Sequence, residues 1–333
     1  MSTDGAVNTA LADHGGPDAE TLRAAVRMAC WAPSVHNTQP WRWRLVPGGV
    51  RLSVDRGRWL RAADSDGRDL LISCGAALHH LRVSLAAFGW AAVVTRFPDP
   101  TDRDLLAEVS AIPAVPGQVE VTDAVSITRR RSDRRAYAPW PATDVVLAEL
   151  VARAALQGVV AEVVGGTART ALRSAIAAAD AAQSADDRYH AELARWCGRP
   201  DGAEDGIPAA NIPAATEWEG LVLRGFPNPV LPPAPAGRSG GSLLVLGTAS
   251  DDGESRLRAG EATSAVLLGA TGLRLASCAL SQPVEVPGVR ELLRTRVLRG
   301  DLVPQLVVRV GWPSPGAGEL PRTPRRNLTS VLG

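Results

Sequence analysis

The chain contains no lysine: all 36 of its basic residues are arginine. A Schiff-base lysine, a pyridoxal-phosphate anchor and the lysine of a phosphate-binding P-loop are thereby excluded. Cysteine is scarce, and Cys30, Cys74, Cys197 and Cys278 lie far apart with no CxxC pair. Buried free thiols are therefore expected, with no metal site and no disulfide framework. No GxGxxG follows a strand-like run, so a Rossmann site for a nicotinamide cofactor has no support. The first sixteen residues lack a basic stretch followed by an apolar run, so no secretory signal is read there. Charges break the apolar runs before the roughly 18 residues that a membrane span needs. The net charge of +1 gives no general attraction to polyanions. The expectation is a cytoplasmic protein with no membrane and no nucleic-acid partner.

What is present is ordinary globular material. Of 333 residues, 45% are hydrophobic and 21% charged, enough for one large core or two. The most informative stretch is Ala32 to Trp41, APSVHNTQPW. Pro33 and Pro40 fix φ and push the residues before them out of the helical region. Between them stand Ser34, His36, Asn37, Thr38 and Gln39, all hydrogen-bonding side chains. Two readings are open: a well-bonded turn, or a stiff loop that positions a polar ligand.

Around it the periodicities are plain. Pro17, Asp18 and Glu20 open a helix whose Leu22, Ala25, Val26, Ala29 and Cys30 share one face. Trp41, Trp43 and Leu45 alternate with arginines, and Pro47-Gly48-Gly49 turns this strand back into Val50, Leu52 and Val54. Leu70 to Phe88 is apolar nearly all round, predicting a central buried helix closed by Gly89, with a strand in AAVVTRF. His79 and His80 are neighbours pointing different ways, so they cannot share a metal. Residues 112 to 126 read as a crossover. The pattern then partly repeats: helix at Val145 to Leu156, strand at Gly158 to Val164, buried helix at Glu261 to Thr271, strand at Gln305 to Val310. This predicts two similar α+β halves. Asp186 to Gly240 fits neither copy. It is helical through Trp196, then rich in proline and glycine. It reads as a lid or arm anchored by Trp218 and Phe226, or as a plain surface excursion.

Arg129 to Arg135 reads RRRSDRR, and Arg322, Arg325 and Arg326 form a second basic group near the end. The first run could be a solvated basic face, a nucleic-acid patch or the seat of one phosphate. Guanidinium forks beside a serine hydroxyl suit the phosphate best. A Ser34–His36 nucleophile pair has no orienting acid nearby in sequence.

Two of these motifs resemble those of the FMN-dependent nitroreductase family. APSVHNTQPW is similar to its Ala-Pro-Ser-x-x-Asn-x-Gln-Pro-Trp loop, and RRSDR to its Arg-Arg-Ser-x-Arg run. Tyr137 stands five residues after the serine, one further than the family's aromatic. Over its length the chain most resembles the Acg-like branch, in which two nitroreductase-type halves share one polypeptide. The resemblance implies a nitroreductase-like α+β fold, an intrachain pseudo-dimer around central helices, acting as a monomer. The halves would be 1–125, with the loop, and 126–333, with the arginine run and a Pro-rich insert at about 186–240. It implies one FMN, held by Pro33, Ser34, His36, Asn37 and Gln39 from the first half. Arg130, Arg131, Ser132, Arg134, Arg322 and Arg325 would hold it from the second, with backbone near Ser277 to Leu280 against the ring. No catalytic side chain and no metal ligand is implied. The expected activity is NAD(P)H-dependent reduction of nitro, quinone or similar electron-poor small molecules by hydride transfer at the flavin. The alternative is a non-catalytic FMN-holding protein whose lid occludes the flavin.

Overall fold

A computed structural model of the protein describes residues 15–200, 202–214, 217–218, 221–233 and 240–333. The loose tail expected at the N-terminus lies, but for its last two residues, outside the described residues. So do Pro235 and Gly237 of the expected arm.

The first half opens with α1 (Ala19–Ala29), where the Asp18 side chain accepts from the Thr21 amide and Leu22, Ala25, Val26 and Ala29 are buried. Strands β1 (Trp41–Val46) and β2 (Gly49–Val54) form the expected hairpin, with Trp41 opposite Val54. Helix α2 (Arg68–Ala87) follows, then β3 (Trp90–Arg96) and β4 (Leu105–Pro113). The four strands make an antiparallel sheet in the order β1-β2-β4-β3.

The segment read as an open crossover is mostly helical: α3 spans Gln118–Arg129. Pro113, Pro116 and Gly117 stop β4 and supply the N-cap, and no breaker follows for twelve residues. The expected boundary between residues 125 and 126 thus falls inside a helix. The second half continues with α4 (Asp144–Ala155), β5 (Val160–Val163), α5 (Gly166–Ser184) and α6 (Asp187–Trp196). Then come β6 (Ser242–Thr248), α7 (Gly253–Gly272), β7 (Ala276–Leu280), α8 (Pro287–Arg296) and β8 (Val303–Gly311). Their antiparallel sheet runs β5-β6-β8-β7.

The two halves share one topology. Each is a helix, two strands, a central helix and two strands, and both sheets have the same strand order. The large difference lies between β5 and β6. Where the first half turns in two residues at Pro47 and Gly48, the second inserts residues 164–241, including α5, α6 and the arm.

The central helices α2 and α7 hold the halves together, and glycine is what lets them. A Cβ on Gly75 would stand 1.9 Å from the Leu257 carbonyl oxygen, and one on Gly260 2.0 Å from that of Ile72. The backbones therefore touch directly, as they can only where no side chain intervenes. His79 Nδ1 meets Ser264 Oγ at 2.8 Å further along. Although charge breaks its apolar run at Arg82, α2 has the length and mean hydropathy, 1.4, of a membrane-crossing helix. Its charges sit at Arg68, Asp69 and Arg82, and 78% of the stretch is buried in protein, the setting of a core helix. After β8 the tail crosses to the first half, where Gly333 N donates to the Trp43 carbonyl at 2.8 Å.

Candidate active site

The loop after α1 is strained. His36, Asn37 and Gln39 have φ of 44°, 56° and 51°, a region that costs a non-glycine residue roughly 1–3 kcal/mol. Side-chain bonds to distant segments hold it there. Asn37 Nδ2 donates to the carbonyls of Gly206 (2.9 Å) and Pro324 (3.2 Å), and its Oδ1 accepts from Arg325 at 3.1 Å. Gln39 Nε2 donates to Glu204 O at 2.9 Å, and its Oε1 accepts from Arg326 N at 2.8 Å. Ser34 Oγ accepts from Gln39 N, and Ser73 Oγ from Val35 N, each at 3.0 Å.

On the other side the loop faces a cleft with about 1000 Å³ of free space, counting its open mouth. Pro33, Ser34, Val35 and His36 form one wall with Asp69, Ile72 and Ser73 of α2. The second half contributes Ser132, Arg134, Thr263 of α7, Cys278 to Leu280 of β7, and Leu306 and Arg309 of β8. The arm adds Leu223, Arg224 and Phe226. The proline loop and the arginine run, 98 positions apart by the count from Ser34 to Ser132, thus border one space.

The sequence-predicted residues divide. Pro33, Ser34, His36, Ser132 and Arg134 line the cleft, whereas Asn37, Gln39, Arg130, Arg131, Arg322 and Arg325 do not. Arg325 is committed to the carbonyls of Cys30, Trp31 and Ala32 at the end of α1, and so steadies the loop. Arg131 bonds the carbonyls of Thr128, Arg130 and Leu320, and Arg322 lies 5.7 Å from the Trp31 ring. Arg130 sits directly behind Ser132, donating to its hydroxyl at 3.4 Å.

Arg130 is the electrostatic anomaly. It is buried, its Nε has no partner, and it forms no ion pair among the described residues. Burial, then the neighbouring Arg131 and Arg134 cations, push its pKa down to about 10. Arg135, five residues on, is by contrast paired with Asp133 at 2.9 Å. A guanidinium withheld from water and from carboxylates marks a place for an anion.

His36 is neutral. Burial and the cations of Arg224 and Arg134 hold it well below its ordinary pKa. Arg224 Nη1 donates to His36 Nε2 at 3.2 Å, so the ring proton sits on Nδ1, 3.5 Å from Cys197 Sγ. The phenyl ring of Phe226 meets the imidazole edge-on at 5.9 Å, and Arg134 lies 5.1 Å from that phenyl centre. Among the described residues no carboxylate orients His36, and no hydrolase triad is assembled from them. Trp218, expected as a lid anchor, is buried in the core with Arg169 over its ring and does not reach the cleft.

Three functional side chains escaped the sequence reading: Arg224, Glu285 and Asp69. Arg224 Nη2 donates to Glu285 Oε2 at 2.5 Å, a buried ion pair between the arm and the short helix Gln282–Glu285. Asp69 is buried at the cleft wall with neither carboxyl oxygen bonded to any described residue. Burial, then Asp64 and Glu285, hold its pKa well above the ordinary carboxyl range. The signal was an acid cluster, Asp64, Asp66 and Asp69, opening an otherwise apolar helix.

A second cleft, further along α2, is lined by His79, Arg82, Asp123, Glu149, Arg153 and Gln157 among others. Its cations are neutralised: Arg153 pairs with Asp123 at 2.9 Å and Glu149 at 3.2 Å, and Arg82 with Glu261 at 2.5 Å. Only four residues, 156–159, join α4 to β5 beside it, against the eleven, 30–40, between α1 and β1.

The chain is a duplicated α+β fold in which a strained proline loop of one half and the Ser132–Arg134 segment of the other border one cleft. No family model matches the chain. The Mycobacterium tuberculosis protein named "Putative NAD(P)H nitroreductase Rv3131" is 44% identical over 323 residues, 95% of this chain and 92% of its own. "Putative NAD(P)H nitroreductase acg" of the same organism is 37% identical over 320 residues, 94% and 95%. The chain belongs to the nitroreductase family, alongside these mycobacterial proteins. Among solved structures, the FMN-dependent nitroreductase NfnB from Mycobacterium smegmatis, in complex with NADPH, aligns with a TM-score of 0.41. It is 15% identical and covers 63% of this chain and 96% of its own.

Proposed function

We propose that the chain is an FMN-binding, NAD(P)H-dependent oxidoreductase of the nitroreductase type. It would reduce nitro, quinone or similar electron-poor small molecules and work as a monomer in the cytoplasm. The observation that carries this reading is Arg130, a buried cation without an ion-pair partner among the described residues, set behind the cleft-lining Ser132. The donor set suits a phosphate: Arg130, Ser132 and Arg134 offer charge-assisted and hydroxyl bonds, each of the charged ones contributing roughly 1.5–3 kcal/mol. Pro33 to His36 on one side and Cys278 to Leu280 on the other give mainly apolar walls for a flat ring. FMN, when bound, supplies the hydride transfer; the protein supplies position, electrostatics and exclusion of water. Asn37, Gln39, Arg131, Arg322 and Arg325 support that geometry through the loop and the tail.

We read one cofactor per chain, because the second cleft has no uncompensated cation among the described residues and no counterpart of the long loop. We also read the chain as two nitroreductase-type halves divided around α3. A second reading, an FMN-holding protein without turnover, is favoured by the arm residues Leu223, Arg224 and Phe226 on the cleft. Adding NADPH or NADH to the purified yellow protein without oxygen separates the two. Bleaching within seconds supports the enzyme, and an unchanged spectrum supports the holder.

A further inference from the structure

The reaction proposed above moves more than a hydride. A quinone that accepts a hydride must also gain one proton to leave as the hydroquinone. A nitro group reduced to nitroso takes a hydride and one proton and releases water. Where bound cofactor and acceptor shield the inner cleft from solvent, a side chain has to supply that proton.

Two kinds of polar group in the cleft, its imidazole and its guanidiniums, are poorly suited. His36 accepts a hydrogen bond from Arg224 through Nε2 and keeps its one proton on Nδ1, turned toward Cys197. Arg134 and Arg309 are guanidiniums, which do not give up a proton in proteins. Asp69 differs from both. It lines the cleft beside Ser73, is 3% exposed, and both its oxygens lack partners among the described residues. An ionised carboxylate in that position would be left without hydrogen bonds from any described residue, which strongly disfavours the charge.

Four charged groups face it. Asp64, from the turn before α2, has its carboxylate occupied by the amides of Asp69 and Leu70 at 3.1 and 2.9 Å. Glu285, from the short helix, and Arg224, from the arm, are bonded to each other. Arg68, on its own helix, is spent on Gln305, Asp66 and Asp251. The two acids repel a charge on Asp69, and the two arginines are already engaged by other carboxylates. The neutral acid, an O–H donor without a partner at the cleft wall, is the favoured form.

We propose that Asp69 is the general acid of the cleft, handing its carboxyl proton to the acceptor as the hydride arrives. The O–H bond of Asp69 breaks and the new O–H bond forms on the acceptor oxygen. The carboxylate left behind regains a proton from solvent before the next turnover. The electrons come from NAD(P)H through the cofactor, so the inference rests on the proposed oxidoreductase reading.

The test separates proton delivery from electron delivery. Asp69→Asn keeps the shape and removes the proton. It is expected to bind FMN and to be bleached by NAD(P)H, while quinone reduction slows roughly 100-fold, within the range that general acids contribute. Reduction of ferricyanide, which takes electrons without a proton, should fall far less. In the cofactor-free protein, the infrared carbonyl band of a protonated carboxylic acid should be present in wild type and diminished in Asp69→Asn. Equal quinone rates in the two proteins, or equal bands, overturn the assignment. Should the variant lose its flavin, the wild type still decides. Its quinone rate must fall with rising pH while its ferricyanide rate does not, and parallel profiles overturn the proposal. A wild-type protein that never bleaches with NAD(P)H sinks the oxidoreductase reading instead, and the infrared band then stands as a separate result.

Discussion

The guanidinium of Arg325 donates to the side-chain oxygen of Asn37 at 3.1 Å, across 288 positions of sequence. The tail of the second half therefore sets the conformation of the first half's loop. With the Gln39 contacts to Arg326 and Glu204, it shows how a backbone strained at three positions stays fixed. Asn37→Ala removes two donated bonds and the one accepted from Arg325, and leaves the buried Gly206 carbonyl short of a partner. We expect a loss of about 2 kcal/mol in urea unfolding, with weaker flavin retention following from the loosened loop.

Arg130→Gln should split stability from binding. Removing a buried cation that has no counter-charge should leave the cofactor-free protein at least as stable as wild type. Affinity for FMN should fall roughly 10- to 100-fold, the worth of one charge-assisted bond. Thermal melts with and without FMN read both quantities: the ligand-induced rise should be large in wild type and small in the variant.

Gly75→Ala tests the seam between the halves. The added methyl would overlap the Leu257 carbonyl, which is backbone and cannot swing aside. A destabilisation of roughly 3 kcal/mol is expected, visible as a clear drop in Tm. Ala76→Ser, one position on, should cost much less.

Buried histidines give the protein an acid limit. Burial, then Arg82 and Arg153, push the His79 pKa down to about 3, against roughly 6.5 in an unfolded chain. Below pH 6.5 the unfolded state gains a proton that the folded state refuses. Stability from this group is full above that pH and is lost as pH falls, by about 1.4 kcal/mol per unit. Asp64, whose burial pushes its pKa up to about 7, acts in the opposite sense, so the total profile mixes both. His79→Gln isolates the term: its stability relative to wild type should improve steadily from pH 7 to pH 5 in urea titrations.

The sequence was most readable where the physics is local. APSVHNTQPW announces a stiff polar loop through its two prolines, and α2 and α7 announce themselves by having no polar face. Helix α3 was hidden by the breakers just before it, because Pro113, Pro116 and Gly117 also suit an open linker. Asn37 and Gln39 were readable as polar, but not as turned away from the cleft. That depends on where the arm and the tail happen to pass, 165 and 287 residues away at Glu204 and Arg326. Asp69 was invisible for the same reason. A carboxylate at a helix start usually faces water, and only the packing of three other segments shows that this one does not.

The measurement closest to the central claim is the ratio of tightly bound FMN to protein chain after saturation and removal of free flavin. A shared cleft completed once by the two halves predicts a value near one, with Arg130→Gln well below it. A ratio near two, or wild-type protein that retains no flavin at all, would contradict the account.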